Sequence, residues 1–469
     1  MPDFSGFQMI LKNIFRKLYL SFRGSIEMEP KPIKSRKHLF LPGLLKRIRH
    51  TFDKIEDNIN QRSTIGLTDC LMSGMAMFGL KYPSLLQFDT EGRDKNSPVT
   101  HNLHTLYGIQ QIPSDTYLRE RLDEVKPSDL QKPINKIIAQ LQRGKILERY
   151  QYIDGHCLIA LDASGYFSSK QVHCDNCCEK HHRDGTVTYY HQMLAAVMVN
   201  PAYPTVFPMM IEPIQKQDGK TKNDCEHSAA KRLLTNLRTA HPHLKMTVVM
   251  DGLYADSVII RLLKKLKFHF IITAKENDLK YLFEFYRSVL LKETKEFDTK
   301  TSRIYRYAES LPLNDNHRDL EVNVLECIEQ AKKKETRFCW ITDLSLSNNT
   351  VARIAKGGRA RWKIENETFN TLKNQGYQFE HNFGHGNKHL NVVFAYLMFT
   401  AFLIDQVQEF SCKYFKAALE AMWSTKKYLW KRIRAIFFEY YIDTWEQLYA
   451  GIIDGIKPIR LVDVTNDTS

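Results

Sequence analysis

Residues 157–168 read CLIALDASGYFS, an apolar run of strand-forming residues that closes at Asp162. Short apolar runs bounded by small and polar residues are typical of buried β-strands. Two further runs of this kind follow, TVTYYHQMLAAVMV at 186–199 and PTVFPMMIEPI at 204–214. The three runs predict three consecutive strands, with an acidic side chain where the first one ends.

Helical and strand-like patterns alternate after these runs. Residues 223–240 have helical periodicity, 245–251 (KMTVVMD) read as a buried strand, 255–267 as an amphipathic helix and 268–274 as another apolar strand. Three strands, helix, strand, helix, strand is the order of an RNase H-like core. We therefore predict an α/β fold with an RNase H-like catalytic core, a strand-rich insertion, and helical N- and C-terminal regions on either side.

The rest of the chain is assigned around this core. The N-terminal segment is basic, and both a solvated, partly ordered arm and an arm that contacts DNA phosphates are consistent with it. The predicted organisation is a basic arm over 1–50, a helical DNA-binding region over 51–150, the first part of the core over 151–275, the strand-rich insertion over 276–345, the core with its catalytic helix and a buried helix over 346–410, and a basic helical region over 411–469.

Composition restricts the function. The 469 residues include 67 Lys and Arg against 53 Asp and Glu, a net charge of +14 that favours a polyanionic partner. Nucleic acid is the first candidate and an acidic membrane surface the second, and charge alone does not choose between them. Nine cysteines without an even framework favour reduced thiols. The longest apolar run, 392–404, is shorter than the ~20 residues that span a bilayer. The N-terminus has charges among its apolar residues, unlike a signal peptide, so we expect a cytoplasmic protein without a membrane partner.

Two acidic residues follow buried strands. Asp162 closes the first predicted strand and Asp251 the fourth, and adjacent strand ends would bring them together. The alternative is that each caps the turn after it, which fits Asp251 before Gly252. Taken singly, neither position decides between these interpretations.

A third acid lies in RWKIENETFNTLK at 361–373. On an α-helix Arg361 and Glu365 share a face, whereas Glu367 lies ~200° around from Glu365, so only one of the two acids can point at a site. The alternative is a surface ion pair, which contributes little stability. Three converging carboxylates need a cation, and hard oxygen ligands select Mg²⁺ or Mn²⁺. Two such ions about 4 Å apart serve phosphodiester chemistry.

Three stretches carry a resemblance to a known family. In this order, LDASGYF at 161–167, VVMDGLYAD at 248–256 and RWKIENETFNTLK at 361–373 resemble the DDE transposases of bacterial insertion sequences, specifically the insertion-sequence-four-like branch. The catalytic domain of that branch is RNase H-like, with a strand-rich insertion before the third acid. The resemblance covers roughly residues 150–405.

The resemblance implies roles for individual residues. Asp162, Asp251 and Glu365 would be the catalytic triad that binds two Mg²⁺ or Mn²⁺ ions. The branch signature, Tyr-x2-Arg-x3-Glu-x6-Lys, is matched by Arg361 and Glu365, while Lys373 lies one residue late and glycine stands at the tyrosine position. The chain is therefore identified as a member of a divergent subgroup, with Arg361 and Lys373 as expected DNA contacts.

The resemblance also implies an activity and partners. The expected function is a cut-and-paste DNA transposase that cleaves at the ends of an insertion sequence, binds terminal inverted repeats and target DNA, and acts as a homodimer on DNA in the bacterial, nucleoid-associated cytoplasm. Trp340 is a candidate for base stacking, with core packing as the alternative. Two other functions stay open: a non-catalytic, zinc-dependent DNA-binding regulator, and a decayed transposase that binds without cleaving.

The stretch HCDNCCEKHH at 173–182 lies between the first two strands. Cys174 and Cys177 have a C-x2-C spacing that holds zinc in tight turns, although no second pair at finger spacing follows. The alternative is a solvated hairpin tip. The candidate zinc ligands are Cys174, Cys177, Cys178, His181 and His182.

Overall fold

The computed structural model describes residues 38–57, 64–216, 225–298, 301–331 and 334–456. Most of the predicted basic arm, up to residue 37, and the end of the basic C-terminal region lie outside these ranges. The described elements belong to one compact unit.

Eleven strands of the described residues form one mixed sheet. They are β1 (Gln151–Ile153), β2 (His156–Ser169), β3 (Cys178–His181), β4 (Val187–Asn200), β5 (Tyr203–Ile214), β6 (Met246–Met250), β7 (His269–Thr273), β8 (Lys292–Phe297), β9 (Thr301–Pro312), β10 (Glu321–Ala331) and β11 (Lys334–Thr342).

The helices of the described residues flank this sheet. They are α1 (Leu41–Phe52), α2 (Leu67–Gly79), α3 (Leu85–Gly92), α4 (Pro98–Tyr107), α5 (Asp115–Asp123), α6 (Pro127–Arg143), α7 (Glu226–Ala240), α8 (Ser257–Lys265), α9 (Lys280–Ser288), α10 (Val351–Arg359), the π-helical segment Ile364–Phe369, α11 (Asn370–Asn374), α12 (Leu390–Ser411), α13 (Lys413–Met422), α14 (Lys426–Glu439) and α15 (Trp445–Ile453).

The central strands have the order β5-β4-β2-β6-β7. β2, β4 and β5 pair antiparallel, whereas β6 is parallel to β2 and β7 is parallel to β6. Every residue of β6 is buried, as expected for a central strand covered on both faces. Three antiparallel strands followed by two parallel ones confirm the predicted RNase H-like core.

Strands also occupy most of the segment predicted to be an insertion. After α9, the strands β8 to β11 form an antiparallel meander. β11 then pairs antiparallel with the core strand β7, with Trp340 opposite Thr273. The strand-rich insertion therefore extends the core sheet instead of forming a separate one.

The apolar run 392–404 lies within α12, and the prediction that it forms a buried core helix is confirmed. By length and composition α12 could cross a membrane, but its most apolar window is entirely buried inside the protein. It packs against β5 and against the N-terminal helices α1, α2, α5 and α6. The N-terminal helices thus cover a hydrophobic element of the core.

The helix α1 falls at the end of the segment predicted to be a basic arm. Its apolar face is buried, with Leu44 and Ile48 fully inaccessible to solvent. Residues 41–50 are therefore packed against the rest of the protein and are not a free arm.

Candidate active site

Two of the predicted acids stand at matching positions on neighbouring strands. The last paired residues of the parallel strands β2 and β6 are Ala160 and Val249. Asp162 and Asp251 each lie two residues further on, so they are in register where β6 ends. The prediction that Asp162 closes the first strand is wrong, because β2 continues beside β4 to Ser169. Neighbouring strands are ~4.8 Å apart, and residues two apart on a strand point to the same face. The backbone therefore sets the two carboxylates side by side.

The Asp251 carboxylate also caps a turn, as the alternative interpretation expected. Its Oδ1 accepts a hydrogen bond from the Leu253 amide at 2.9 Å. Asp162 Oδ1 accepts one from the Ala163 amide at 3.0 Å. These bonds fix the orientation of each carboxylate, so the capping role does not exclude a place in the site.

Glu365 stands on a π-helical segment instead of the regular α-helix assumed from the sequence. The segment Ile364–Phe369 is π-helical, and its buried residues Ile364 and Phe369 anchor it to the core. Glu365 is exposed. Isolated π-helical turns often occur at functional sites because they shift side chains relative to the regular helical spacing.

The acids form one electrostatic cluster. Burial raises the pKa of the Asp162 carboxyl, and the charges of Asp251 and Glu365 raise it further. The Arg361 guanidinium acts in the opposite direction, since its Nη1 lies 2.9 Å from Asp162 Oδ2. Arg361 therefore pairs with the first acid of the predicted triad and not with Glu365, four residues away on its own segment.

Two further residues near the acidic cluster, Tyr254 and Glu226, were not predicted from the sequence. The hydroxyl of the buried Tyr254 donates a hydrogen bond to Glu226 Oε2 at 3.4 Å. Burial raises the pKa of Tyr254, and so do the negative charges of Glu226, Asp251 and Asp162. Tyr254 was visible within the stretch DGLYAD, whereas Glu226 at the start of α7 gave no signal beyond helix initiation.

The neighbouring acid Glu367 belongs to another region. It lines a small cavity together with Asp405 and Glu409 of α12 and Lys426 of α14. Of the two acids in this stretch, Glu365 is therefore the one that acts on Asp162.

The candidate DNA contact Trp340 lies in the core. It is 3% exposed and stacks on Phe338 with ring centroids 5.9 Å apart. A Cβ atom on Gly358 would lie 2.5 Å from its Nε1. The structure therefore agrees with the alternative that Trp340 packs in the core, because neither face of its indole is open to a base. The indole also fills the space that a tyrosine side chain would need at position 358.

The candidate DNA contact Lys373 has a partner within the chain. Its Nζ lies 2.8 Å from Glu380 Oε1. Only Arg361 of the three candidate DNA contacts is therefore brought to the acidic cluster.

Three of the five candidate zinc ligands lie apart from the other two. Cys178 is buried and its Sγ contacts the Ile214 carbonyl oxygen at 3.6 Å. His181 pairs with Glu179, and His182 Nε2 lies 2.8 Å from Thr188 Oγ1. All three belong to β3 or to the turn after it, and their ligand atoms do not converge with the Cys174 and Cys177 sulfurs.

Cys174 and Cys177 instead meet two histidines from distant parts of the chain. Their sulfurs, His191 Nε2 and His385 Nδ1 all lie within 4.8 Å of one another. His191 is on β4 and His385 is in the segment before α12. The two groups of ligands differ in chemistry: carboxylates suit Mg²⁺ or Mn²⁺, whereas thiolates with imidazoles suit zinc.

Comparison with known proteins finds a family model to which part of the chain is similar. No curated protein matches. Among solved structures, the chain is similar to one titled "Cryo-EM structure of piggyBac transposase synaptic complex with hairpin DNA (SNHP)", at 10% identity over 92% of this chain and 86% of that one. The TM-score of 0.37 is too low to carry an argument. The family model described as "Transposase DDE domain" matches residues 177–404, which include Asp251 and Glu365 and begin after Asp162. This segment, somewhat under half of the chain, is thus similar to a transposase DDE domain.

Proposed function

We propose that the protein is a DDE-type DNA transposase, a metal-dependent nuclease and strand transferase that cuts at the ends of an insertion sequence and joins them to target DNA. The main support is the register of Asp162 and Asp251 on adjacent parallel strands, with Glu365 acting on the same carboxylate. The family match over 177–404 supports the same conclusion.

The acidic cluster fits a divalent metal. Asp162 is partly buried among like charges, and its raised pKa reflects a charge that lacks sufficient compensation. Asp162, Asp251 and Glu365 would hold Mg²⁺ or Mn²⁺, as two ions in the proposed mechanism. Such ions activate an attacking water or hydroxyl and stabilise the leaving oxygen. The zinc expected at the cysteines would be separate and structural.

The protein's own residues orient these groups. The amides of Ala163 and Leu253 fix the two aspartates, and Arg361 holds Asp162 Oδ2. The side chain of Lys275 runs beside Gly252, since a Cβ there would be 3.3 Å from Lys275 Cε. A cation next to Asp251 is well placed to attract a DNA phosphate.

The finer assignments rest on the resemblance of the sequence. They are the insertion-sequence-four-like branch, cut-and-paste transposition, terminal inverted repeats as the recognised DNA, a homodimer on DNA and a location in the bacterial cytoplasm at the nucleoid. The net charge of +14 supports DNA as the partner.

The test is cleavage of DNA that carries the genomic flanks of the protein's own reading frame, in Mg²⁺ or Mn²⁺. Asp162→Asn, Asp251→Asn and Glu365→Gln should each abolish cleavage and retain DNA binding, because each removes a metal ligand. Glu367→Gln is the matched control, since Glu367 lines a different cavity. Cleavage by the Glu365→Gln protein would refute the triad, and binding without cleavage by the unmodified protein would favour a decayed transposase.

A further inference from the structure

Four ligand atoms converge between β4 and the segment before α12. The Cys174 and Cys177 sulfurs are 3.7 Å apart, and His191 Nε2 lies 3.4 Å from the first and 3.2 Å from the second. His385 Nδ1 lies 3.2 Å from His191 Nε2. Local spacing brings the two cysteines together, whereas the fold brings the two histidines to them from distant parts of the chain.

These four separations match the corresponding edges of a zinc tetrahedron, and the other two, from each sulfur to His385 Nδ1, are within 4.8 Å. Zinc bonds of about 2.3 Å to sulfur and about 2.0–2.1 Å to nitrogen place tetrahedral ligands roughly 3.8 Å apart for two sulfurs, roughly 3.5 Å for sulfur and nitrogen, and roughly 3.4 Å for two nitrogens. The four separations given above lie within about 0.4 Å of these values. Two thiolates and two imidazoles are also a ligand set of structural zinc sites.

Hydrogen bonding alone does not account for the surroundings of His191. Its Nε2 has four close polar neighbours: both sulfurs, His385 Nδ1 and, at 2.6 Å, Asn391 Nδ2. A ring nitrogen carries one proton or one lone pair, so it cannot bond to all of them. A cation shared by the two sulfurs and the two ring nitrogens accounts for the convergence of those four atoms.

The backbone around Cys174 and Cys177 forms a turn that brings their two sulfurs together. The Cys177 amide donates to the Cys174 carbonyl oxygen at 3.1 Å, which closes a tight turn. The Cys174 amide points at Cys177 Sγ, 3.4 Å away. This turn holds both thiols on one side of the loop between β2 and β3.

The histidines are held by packing and by backbone geometry. Tyr166 stacks on the His191 ring at an interplanar angle of 17°, and Phe167 packs edge-on against the His385 ring with centroids 4.2 Å apart. His385 stands between Gly384 and Gly386, whose φ angles of 124° and 66° suit glycine. A Cβ at Gly386 would collide with Asp123, so this glycine lets the loop approach closely.

We propose that Cys174, Cys177, His191 and His385 form a structural zinc site. It ties the segment between α11 and α12, which follows Glu365 in the chain, to the β2–β3 loop and to β4. The same segment is held nearby by Asn176 Nδ2, which donates to the Lys388 carbonyl oxygen at 2.9 Å. The site involves none of the acids of the active-site cluster and does not depend on the proposed activity.

The first test is metal content. Full-length protein purified without chelator should contain about one zinc per chain by mass spectrometry. Exchange for Co²⁺ should give the visible absorption of a tetrahedral thiolate complex. His385→Ala should lose zinc and melt at a lower temperature, whereas His385→Cys, which supplies another ligand, should retain it.

The control variants separate this ligand set from the one expected from the sequence. His181→Ala and His182→Ala remove histidines of the same hairpin that lie apart from the cluster, and both should retain zinc. Zinc loss in either, with retention in His385→Ala, would overturn the assignment. The proposal also fails if the unmodified protein contains no zinc and binds neither Zn²⁺ nor Co²⁺ when they are added, a result that needs no variant to fold.

Discussion

Arg361 Nη1 donates a hydrogen bond to Asp162 Oδ2 at 2.9 Å, so the arginine of the signature neutralises the first acid of the proposed triad. The guanidinium occupies Oδ2, one of the two oxygens that Asp162 could offer to a divalent metal. Arginine and metal are therefore expected to compete for Asp162, and removing either changes the affinity of the other.

Arg361→Gln should lower the thermal stability of the metal-free protein, because it leaves the acidic cluster without its counter-charge. Mn²⁺ should then raise the melting temperature of this variant more than that of the unmodified protein. Thermal unfolding across a Mn²⁺ titration measures both effects. Lys373→Gln is the control, since Lys373 pairs with Glu380; an equal Mn²⁺ response in Arg361→Gln and unmodified protein would contradict the competition.

Asp251→Asn should stabilise the metal-free protein by about 1 kcal/mol, because it removes one of three mutually repelling charges. The amide oxygen still accepts the hydrogen bond from Leu253. The pKa of Asp162 is raised from 3.8, so its ionisation costs stability as pH rises from 3.8 through the raised value, and the full cost is present above it. The gain in Asp251→Asn should therefore be largest at neutral pH and shrink as Asp162 becomes protonated.

Urea unfolding in the presence of EDTA at a series of pH values measures this gain. Glu367→Gln should show no such pH-dependent gain, because its carboxylate faces another cavity. A gain in Asp251→Asn that is the same at every pH would show that the acids do not repel one another.

Gly358→Ala should destabilise the protein by about 1–3 kcal/mol, because overpacking in a core forces neighbours to move. The new Cβ would meet the Trp340 indole at 2.5 Å. Gly357→Ala is a milder control, since its nearest neighbour would be 3.3 Å away. Chemical denaturation compares the two, and adding Trp340→Phe to Gly358→Ala should recover part of the loss; equal stability of both alanine variants would contradict the packing role of Trp340.

The exposed lysines Lys427 and Lys431 on α14 should contribute phosphate contacts. Replacing both with glutamine should reduce the slope of log K against log salt by up to about 2, following counterion release. Fluorescence anisotropy with labelled duplex DNA at several salt concentrations gives the slope. A similar exposed pair outside both regions predicted to bind DNA, Lys245 and Lys265, should leave the slope unchanged. An unaltered slope in the α14 variant would place the contacts elsewhere.

The sequence predicted the core well where the signal was local. Short apolar runs followed by an acid identified Asp162 and Asp251 as candidates. The order of strands and helices then predicted that the two acids lie on neighbouring strands, as they do. Regular helical spacing placed Arg361 and Glu365 on one face, and both act on Asp162, although a π-helical segment replaces the regular α-helix over 364–369.

The metal ligands illustrate a second limit of the sequence. The spacing within HCDNCCEKHH favoured His181 and His182, which are close to the cysteines in the sequence. In the structure they lie at the end of β3 and in the turn after it, apart from the Cys174 and Cys177 sulfurs. The ligands that do converge, His191 and His385, come from a strand and a distant loop, which only the sheet pairing brings together. The glycines on either side of His385 were the available signal, because paired glycines around a polar side chain indicate a close backbone approach.

The enclosure of α12 by α1, α2, α5 and α6 has a consequence for synthesis. The ribosome releases these helices more than two hundred residues before α12 emerges, so their apolar faces have no partner during most of translation. Native packing of the amino-terminal region must wait until nearly the whole chain has been made. Truncated products that end before residue 390 would expose those faces, which makes them expected substrates of chaperones and proteases.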